Sequence, residues 1–141
     1  MSKVSETSVR VRYGETDQMG FVYYGNYALY LELARTELIR QSGWSYKQLE
    51  AEGIQLPVVN LNVKYRKPAV YDDVLNIRTK IIGEINRKIC FYSEIFNAQN
   101  ELLLKGEVEL VFMDKHLKKV MNCPLIIKEK MTISIYRTKT I

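Results

Sequence analysis

Histidine is almost missing from this sequence: His116 is the only one, and it stands in the polar stretch Asp114 to Lys119. A zinc site needs a convergent set of histidine, cysteine or acidic ligands, and no such spacing occurs, so no metal is expected. A Ser-His or Cys-His mechanism would have to recruit His116, which reads as a surface residue, and there is no G-x-S-x-G elbow. Cysteine is nearly as scarce. Cys90 and Cys123 lie far apart and outside any C-x-x-C spacing, which excludes a disulfide framework and a thiol redox motif and leaves reduced, partly buried thiols. Neither G-x-G-x-x-G nor G-x-x-x-x-G-K-[ST] is present, so dinucleotide and phosphate-loop chemistry lose their usual signatures. No apolar run approaches the ~20 residues of a membrane span, and MSKVSETSVR at the start lacks the apolar core of a signal peptide. A cytoplasmic protein without a membrane span is the expectation. Acid–base chemistry, if there is any, must rest on carboxylates.

The chain has 141 residues, 47% hydrophobic and 26% charged, which fits one soluble globular domain over 1–141. No repeat, linker or low-complexity segment divides it. The net charge of +5 favours anionic partners, but the basic residues are interspersed with acidic ones. A phosphate-bearing small molecule needs only a local basic cluster, whereas a nucleic-acid groove needs an extended basic track, so no nucleic-acid partner is expected.

Val9, Val11 and Tyr13 alternate with Arg10 and Arg12 at the two-residue period of a strand. Tyr27, Tyr30, Leu31, Ala34 and Leu38 recur at helical intervals, with Leu29, Leu33 and Ile39 widening the stripe, and Gly43 supplies a stop. A long helix over about 26–42 follows. Ser45 with Gln48 resembles a capping box, and Gly53 ends the short helix this starts. Val59, Leu61, Val63 and Tyr65 give the clearest strand alternation, closed by Pro68. Leu75 to Ile81, Ile89 to Phe96 and Leu104 to Met113 read as three more strands joined by turns at Gly83 to Asn86 and Asn97 to Asn100. Pro124 could open a helix, or Thr132 to Tyr136 could be extended. The order predicts an α+β domain with a largely antiparallel sheet covered by one helix.

Between the first strand and the long helix, Tyr13 to Tyr27 concentrates carboxylates, glycines and tyrosines. Gly14, Gly20 and Gly25 permit tight turns and close backbone approach to a ligand. The helix start adds unpaired N–H groups and a partial positive charge that would stabilise an oxyanion. Residue chemistry alone favours Asp17 capping a turn and the tyrosines being core.

The run D-x-x-G-x-V-Y-Y-x-N-Y from Asp17 to Tyr27, leading into Tyr30-Leu31-Glu32-Leu33-Ala34-Arg35, resembles the 4-hydroxybenzoyl-CoA thioesterase family of hotdog-fold enzymes. Pro57-Val58-Val59 and Pro68-Ala69-Val70-Tyr71-Asp72-Asp73-Val74-Leu75 match in the same order, so the resemblance covers roughly residues 7 to 113. It implies a hotdog fold, a curved antiparallel sheet wrapped around one long central helix, and acyl-CoA thioester hydrolysis at a site shared between subunits. Asp17 then holds the catalytic carboxylate position, as nucleophile or general base. The Tyr24 backbone N–H matches the oxyanion donor, with Gly25 assisting. Arg87 and Lys88 match the basic cluster that meets the phosphates of coenzyme A, which is part of the substrate and not a separate cofactor. A solvated strand end is their other reading. Glu32 and Arg35 resemble the general acyl-CoA members more than the aromatic-acyl one. A homodimer is expected, assembling further into a homotetramer. An acyl-CoA-binding protein without catalysis, an enoyl-CoA lyase, or a hydrolase of acyl carrier protein thioesters are the alternatives; the lyases of this fold use a histidine that the loop lacks.

Overall fold

The structure, a computed structural model, describes residues 4–137 and the side chains of 4–132. Five strands form one antiparallel sheet in the order β1-β4-β5-β6-β3, where β1 is Ser5–Arg10, β3 Val58–Tyr65, β4 Val74–Ile82, β5 Lys88–Phe96 and β6 Leu102–Val111. The three central strands obey the two-residue period. Leu75, Ile77, Thr79 and Ile81 of β4 are buried, and so are Ile89, Phe91, Ser93 and Ile95 of β5, while the residues between them face outward. Each fully buried Leu or Ile on this face contributes about 1.5–3 kcal/mol. Thr79 and Ser93, cross-strand partners in register, break the apolar face and satisfy each other through a 2.7 Å hydroxyl–hydroxyl hydrogen bond.

Helix α1, Tyr27–Gln41, lies in that concave face. Its buried residues are Tyr27, Tyr30, Leu31, Ala34, Arg35, Leu38 and Ile39, a stripe at three- and four-residue spacing. At Gly106 of β6 a Cβ would stand 2.8 Å from Leu31 Cδ1, so a side chain there would force Leu31 to shift. Gly43, at φ +95°, turns the chain out of the helix. A short α2, Tyr46–Ala51, is capped by Ser45, whose hydroxyl accepts the Gln48 N–H at 3.1 Å. This is the α+β hotdog arrangement that the sequence implies.

Several local expectations are corrected. β1 begins earlier and ends at Arg10, and Tyr13 sits 78% exposed in a 3-10 turn with its ring edge-on to Tyr71, while Val11, just past the strand, is buried. Ladder pairing to β4 holds the polar residues Ser5 to Ser8 extended despite their weak strand pattern. Leu29 does not join the buried stripe but is 57% exposed. The alternation in β3 does not mark a buried face: Val59, Leu61 and Tyr65 are about half exposed at 53%, 46% and 54%. β3 pairs with β6 on one side only and is an edge of the sheet. After β6 the chain breaks at Phe112, and Met113–Asp114 becomes β7, paired with Ile54–Gln55, which is β2. The tail after Pro124 is helical, with α3 spanning Leu125–Arg137 and Ile127 and Met131 buried. Cys123 is buried, its thiol pushed up to about 11 by burial despite nearby Lys128, and Cys90 is half-buried; both are free.

Candidate active site

The loop from Val11 to Tyr27 is built on backbone pairing, not on apolar burial. Thr16 bridges Val22, Phe21 bridges Val70, and the Asp17 N–H donates to the Phe21 carbonyl at 2.8 Å, which makes a small hairpin with Gly20 at φ +84° in its tip. Glu15 locks this hairpin to the helix. Its carboxylate accepts the Arg12 N–H at 2.7 Å and the Tyr30 hydroxyl at 2.9 Å, and its carbonyl accepts the Tyr23 N–H and the Asn26 side-chain amide. Burial alone would raise the Glu15 carboxyl, but the Arg12 N–H, the Tyr30 hydroxyl and the Arg12 guanidinium together hold it below its ordinary value. This second carboxylate of the motif is therefore fully engaged in structure.

Asp17 is not. Its Oδ1 accepts the Met19 N–H at 2.9 Å and the Phe21 N–H at 3.3 Å, whereas Oδ2 has no hydrogen-bond partner among the described residues. Asp17 caps its turn with Oδ1, as residue chemistry allows, and Oδ2 is left over from that cap. Asp17 lines a cleft of about 340 Å³ with Met19, Phe21, Val22, Tyr24, Tyr27 and the segment Tyr65 to Pro68. Tyr23 ends the extended approach and a 3-10 turn, Tyr24–Asn26, runs directly into α1. The turn's hydrogen bonds are Asn26 N–H to the Tyr23 carbonyl and Tyr27 N–H to the Tyr24 carbonyl. Among the described residues the Tyr24 and Gly25 N–H groups, first donors of the turn, have no partner. Neither this turn nor the first turn of α1 carries an acidic residue to neutralise the helix dipole. A Cβ at Gly25 would meet the Tyr23 ring at 3.0 Å, so a side chain there would displace that ring.

Asp17 and Tyr24 thus line one cleft, with Gly25 next to Tyr24 in the chain, whereas Arg87 and Lys88 lie elsewhere. Both are exposed where β5 begins, beside Val111 of β6, and β6 pairs at that end with Val58. The Asp17 cleft opens at the other end of β3, by Tyr65. The eight residues of β3 span roughly 23 Å at about 3.3 Å each, so within one chain the basic pair stands well away from the Asp17 cleft. Lys88 also faces Glu109 at 3.5 Å. Tyr65, Arg66 and Lys67 line the cleft without a sequence signal for it, because the alternation marked Tyr65 only as a strand residue and gave the basic pair no role. Lys67 is ion-paired with Glu101, while Arg66 is exposed. Arg35 is buried and donates to the Tyr46 hydroxyl at 3.2 Å, away from the cleft residues; Glu32 is exposed.

Comparison with known proteins adds descent to this geometry. The putative acyl-CoA thioesterase YneP of Bacillus subtilis is 38% identical over 112 residues, covering 79% of this chain and 81% of the relative. The acyl-CoA thioester hydrolase YbgC of Escherichia coli O6:H1 is 40% identical over 106 residues, covering 75% and 79%. The crystal structure of a DHNA-CoA thioesterase from Staphylococcus aureus superimposes with a TM-score of 0.82 at 36% identity, over 84% of this chain and 80% of that one. Residues 11–131, the span that holds hairpin, central helix and sheet, match the thioesterase-like superfamily, and the chain belongs to that family.

Proposed function

We propose that the chain hydrolyses acyl-CoA thioesters to the free carboxylic acid and coenzyme A. The observation that carries this is one unpartnered carboxylate oxygen, Asp17 Oδ2, in a cleft that Tyr24 also lines; the Tyr24 N–H, and that of Gly25 next to it in the chain, have no partner among the described residues. A thioester carbonyl between them meets an acceptor-type attacking or proton-accepting group on one side and donors for its developing oxyanion on the other. The names of YneP and YbgC support coenzyme A as the carrier.

The phosphates of that carrier fit the reading if two chains pair through β3. A two-fold antiparallel pairing of the open β3 edges sets the Tyr65 end of one strand beside the Val58 end of the other. The partner's Arg87 and the partner's Lys88 then lie on the side where the Asp17 cleft opens, across strands spaced about 4.8 Å. The half-exposed Val59 and Leu61 would become interface. The test is thiol release from a panel of acyl-CoA esters by the wild-type protein and by Asp17→Asn. The amide is nearly isosteric but neither base nor nucleophile, so a loss on the order of 10²-fold or more is expected in a folded variant. Near-wild-type turnover by Asp17→Asn would remove the assignment.

A further inference from the structure

Tyr27, first residue of α1 and 4% exposed, lines the cleft together with Asp17. Its phenol oxygen accepts the Ala69 N–H at 3.1 Å, and the Ala69 carbonyl accepts the Val22 N–H at 2.8 Å. Both polar groups of Ala69 are thereby tied, one to the helix entry and one to the Asp17 hairpin. A phenol that accepts a hydrogen bond still carries its own hydrogen. Among the described residues that hydrogen has no acceptor. Buried hydroxyls are seldom left in that state, so the unused donor needs an account. The same cleft holds one unused side-chain acceptor of opposite character, Asp17 Oδ2.

The groups facing the phenol are the Tyr65 ring at 5.6 Å between centroids, the Tyr30 ring at 6.0 Å, the Ala69 N–H, Asp17 and Asp73. Burial pushes the phenol up, the Ala69 N–H opposes this, and Tyr65, Asp17 and Asp73 push it further up. Tyr27 therefore remains protonated at neutral pH and available as a donor.

We propose that Tyr27 holds the attacking water against Asp17: the Tyr27 hydroxyl donates to the water oxygen while Asp17 Oδ2 accepts one of its hydrogens, which leaves one lone pair to face the thioester carbon. This rests on the hydrolase reading and gives Asp17 the general-base role. As the water oxygen bonds the carbonyl carbon, its proton moves to Asp17 and the carbonyl electron pair moves onto the oxygen facing Tyr24 and Gly25. Collapse breaks the carbon–sulfur bond, and the departing thiolate takes the proton from Asp17. The products are acid and thiol, Asp17 returns to its carboxylate, and Tyr27 keeps its proton throughout.

The test compares wild type and Tyr27→Phe on one acyl-CoA that the wild type hydrolyses. Loss of orientation predicts a fall in kcat of roughly 10- to 100-fold with KM changed by less than about threefold. An unchanged kcat, or a rise in KM alone, overturns the proposal and leaves Tyr27 as a clamp on Ala69. Thermal unfolding of the same samples shows whether Tyr27→Phe is folded. Should it not be, a fluorinated tyrosine of lower phenol pKa at position 27 keeps the shape and the falsifiability. Ionisation removes the donor, so the alkaline fall in kcat must move to lower pH, and an unmoved alkaline limb overturns the proposal. Absence of thiol release by the wild type would instead count against the hydrolase reading itself.

Discussion

Glu15 and Asp17 show how two carboxylates two residues apart acquire different duties. Glu15 engages its carboxylate with Arg12 and with Tyr30 of α1, tying the loop to the helix, while Asp17 uses one oxygen for its turn and keeps the other open. The Glu15 carboxyl is depressed below its ordinary value of 4.5, although burial by itself would raise it, because the Arg12 N–H, the Tyr30 hydroxyl and the Arg12 guanidinium favour the anion. A depressed folded-state value means the unfolded chain takes up the proton first as pH falls. The stability that Glu15 contributes is complete above 4.5 and is lost as pH drops through the lower folded-state value. Glu15→Gln should therefore unfold at a lower temperature than wild type at neutral pH, by about 1 kcal/mol or roughly 3–6 °C, and the gap should close in acid. A constant gap across the acid range in calorimetric scans would show that the anion is not what matters. The motif itself was legible, because glycines, carboxylates and a helix start are local features. Tyr65 to Pro68 could not be read as its neighbours, since they reach the cleft through a fold-level crossing that no local pattern reports.

At the scale of elements, α1 packs on β1, β4 and β5 and meets β6 where Leu31 faces Gly106. Gly106 gives the helix its approach, and an alanine Cβ there would lie 2.8 Å from Leu31 Cδ1 and 3.3 Å from Cδ2. Gly106→Ala should cost about 1–3 kcal/mol in urea unfolding, as overpacking does. Shortening the opposing side chain tests the cause: the double variant Gly106→Ala with Leu31→Ala should lose less than the sum of the two single losses, and strict additivity would place the strain elsewhere. The same scale shows where sequence patterns mislead. β4 and β5 were legible because one face meets the helix and the other solvent, so their alternation reports burial. β3 alternates just as cleanly, yet its residues are mostly exposed, because alternation records two unlike faces and not what covers them. β1 shows the converse, a polar segment held extended by its ladder to β4.

For the whole molecule, the separation of Asp17 from Arg87 and Lys88 makes a prediction that a one-chain site does not share. If β3 pairs with β3 across a two-fold axis, each complete site takes Asp17 from one chain and the basic pair from the other. Asp17→Asn alone should then lose turnover, and a double variant Arg87→Ala, Lys88→Ala should raise KM more than it lowers kcat, since phosphate contacts lie far from the thioester. Mixing the two inactive or impaired proteins, with subunit exchange through mild denaturant and refolding, assembles dimers in which both defects fall in one site and the other is intact. Random exchange puts about a quarter of all sites in that wild-type form, so kcat/KM of the mixture should rise toward about a quarter of the wild-type value. A site contained in one chain gives no such rise, because every Asp17 that survives sits with its own altered pair. The same experiment reports on the edge strand. Replacing Leu61, half exposed in the single chain, by lysine should block pairing, and with it both the sedimentation of a dimer and the recovery on mixing. A Leu61→Lys protein that sediments as a monomer at full activity would overturn the shared site, since no arrangement of β3 edges would then be needed to bring carboxylate and cations to one substrate.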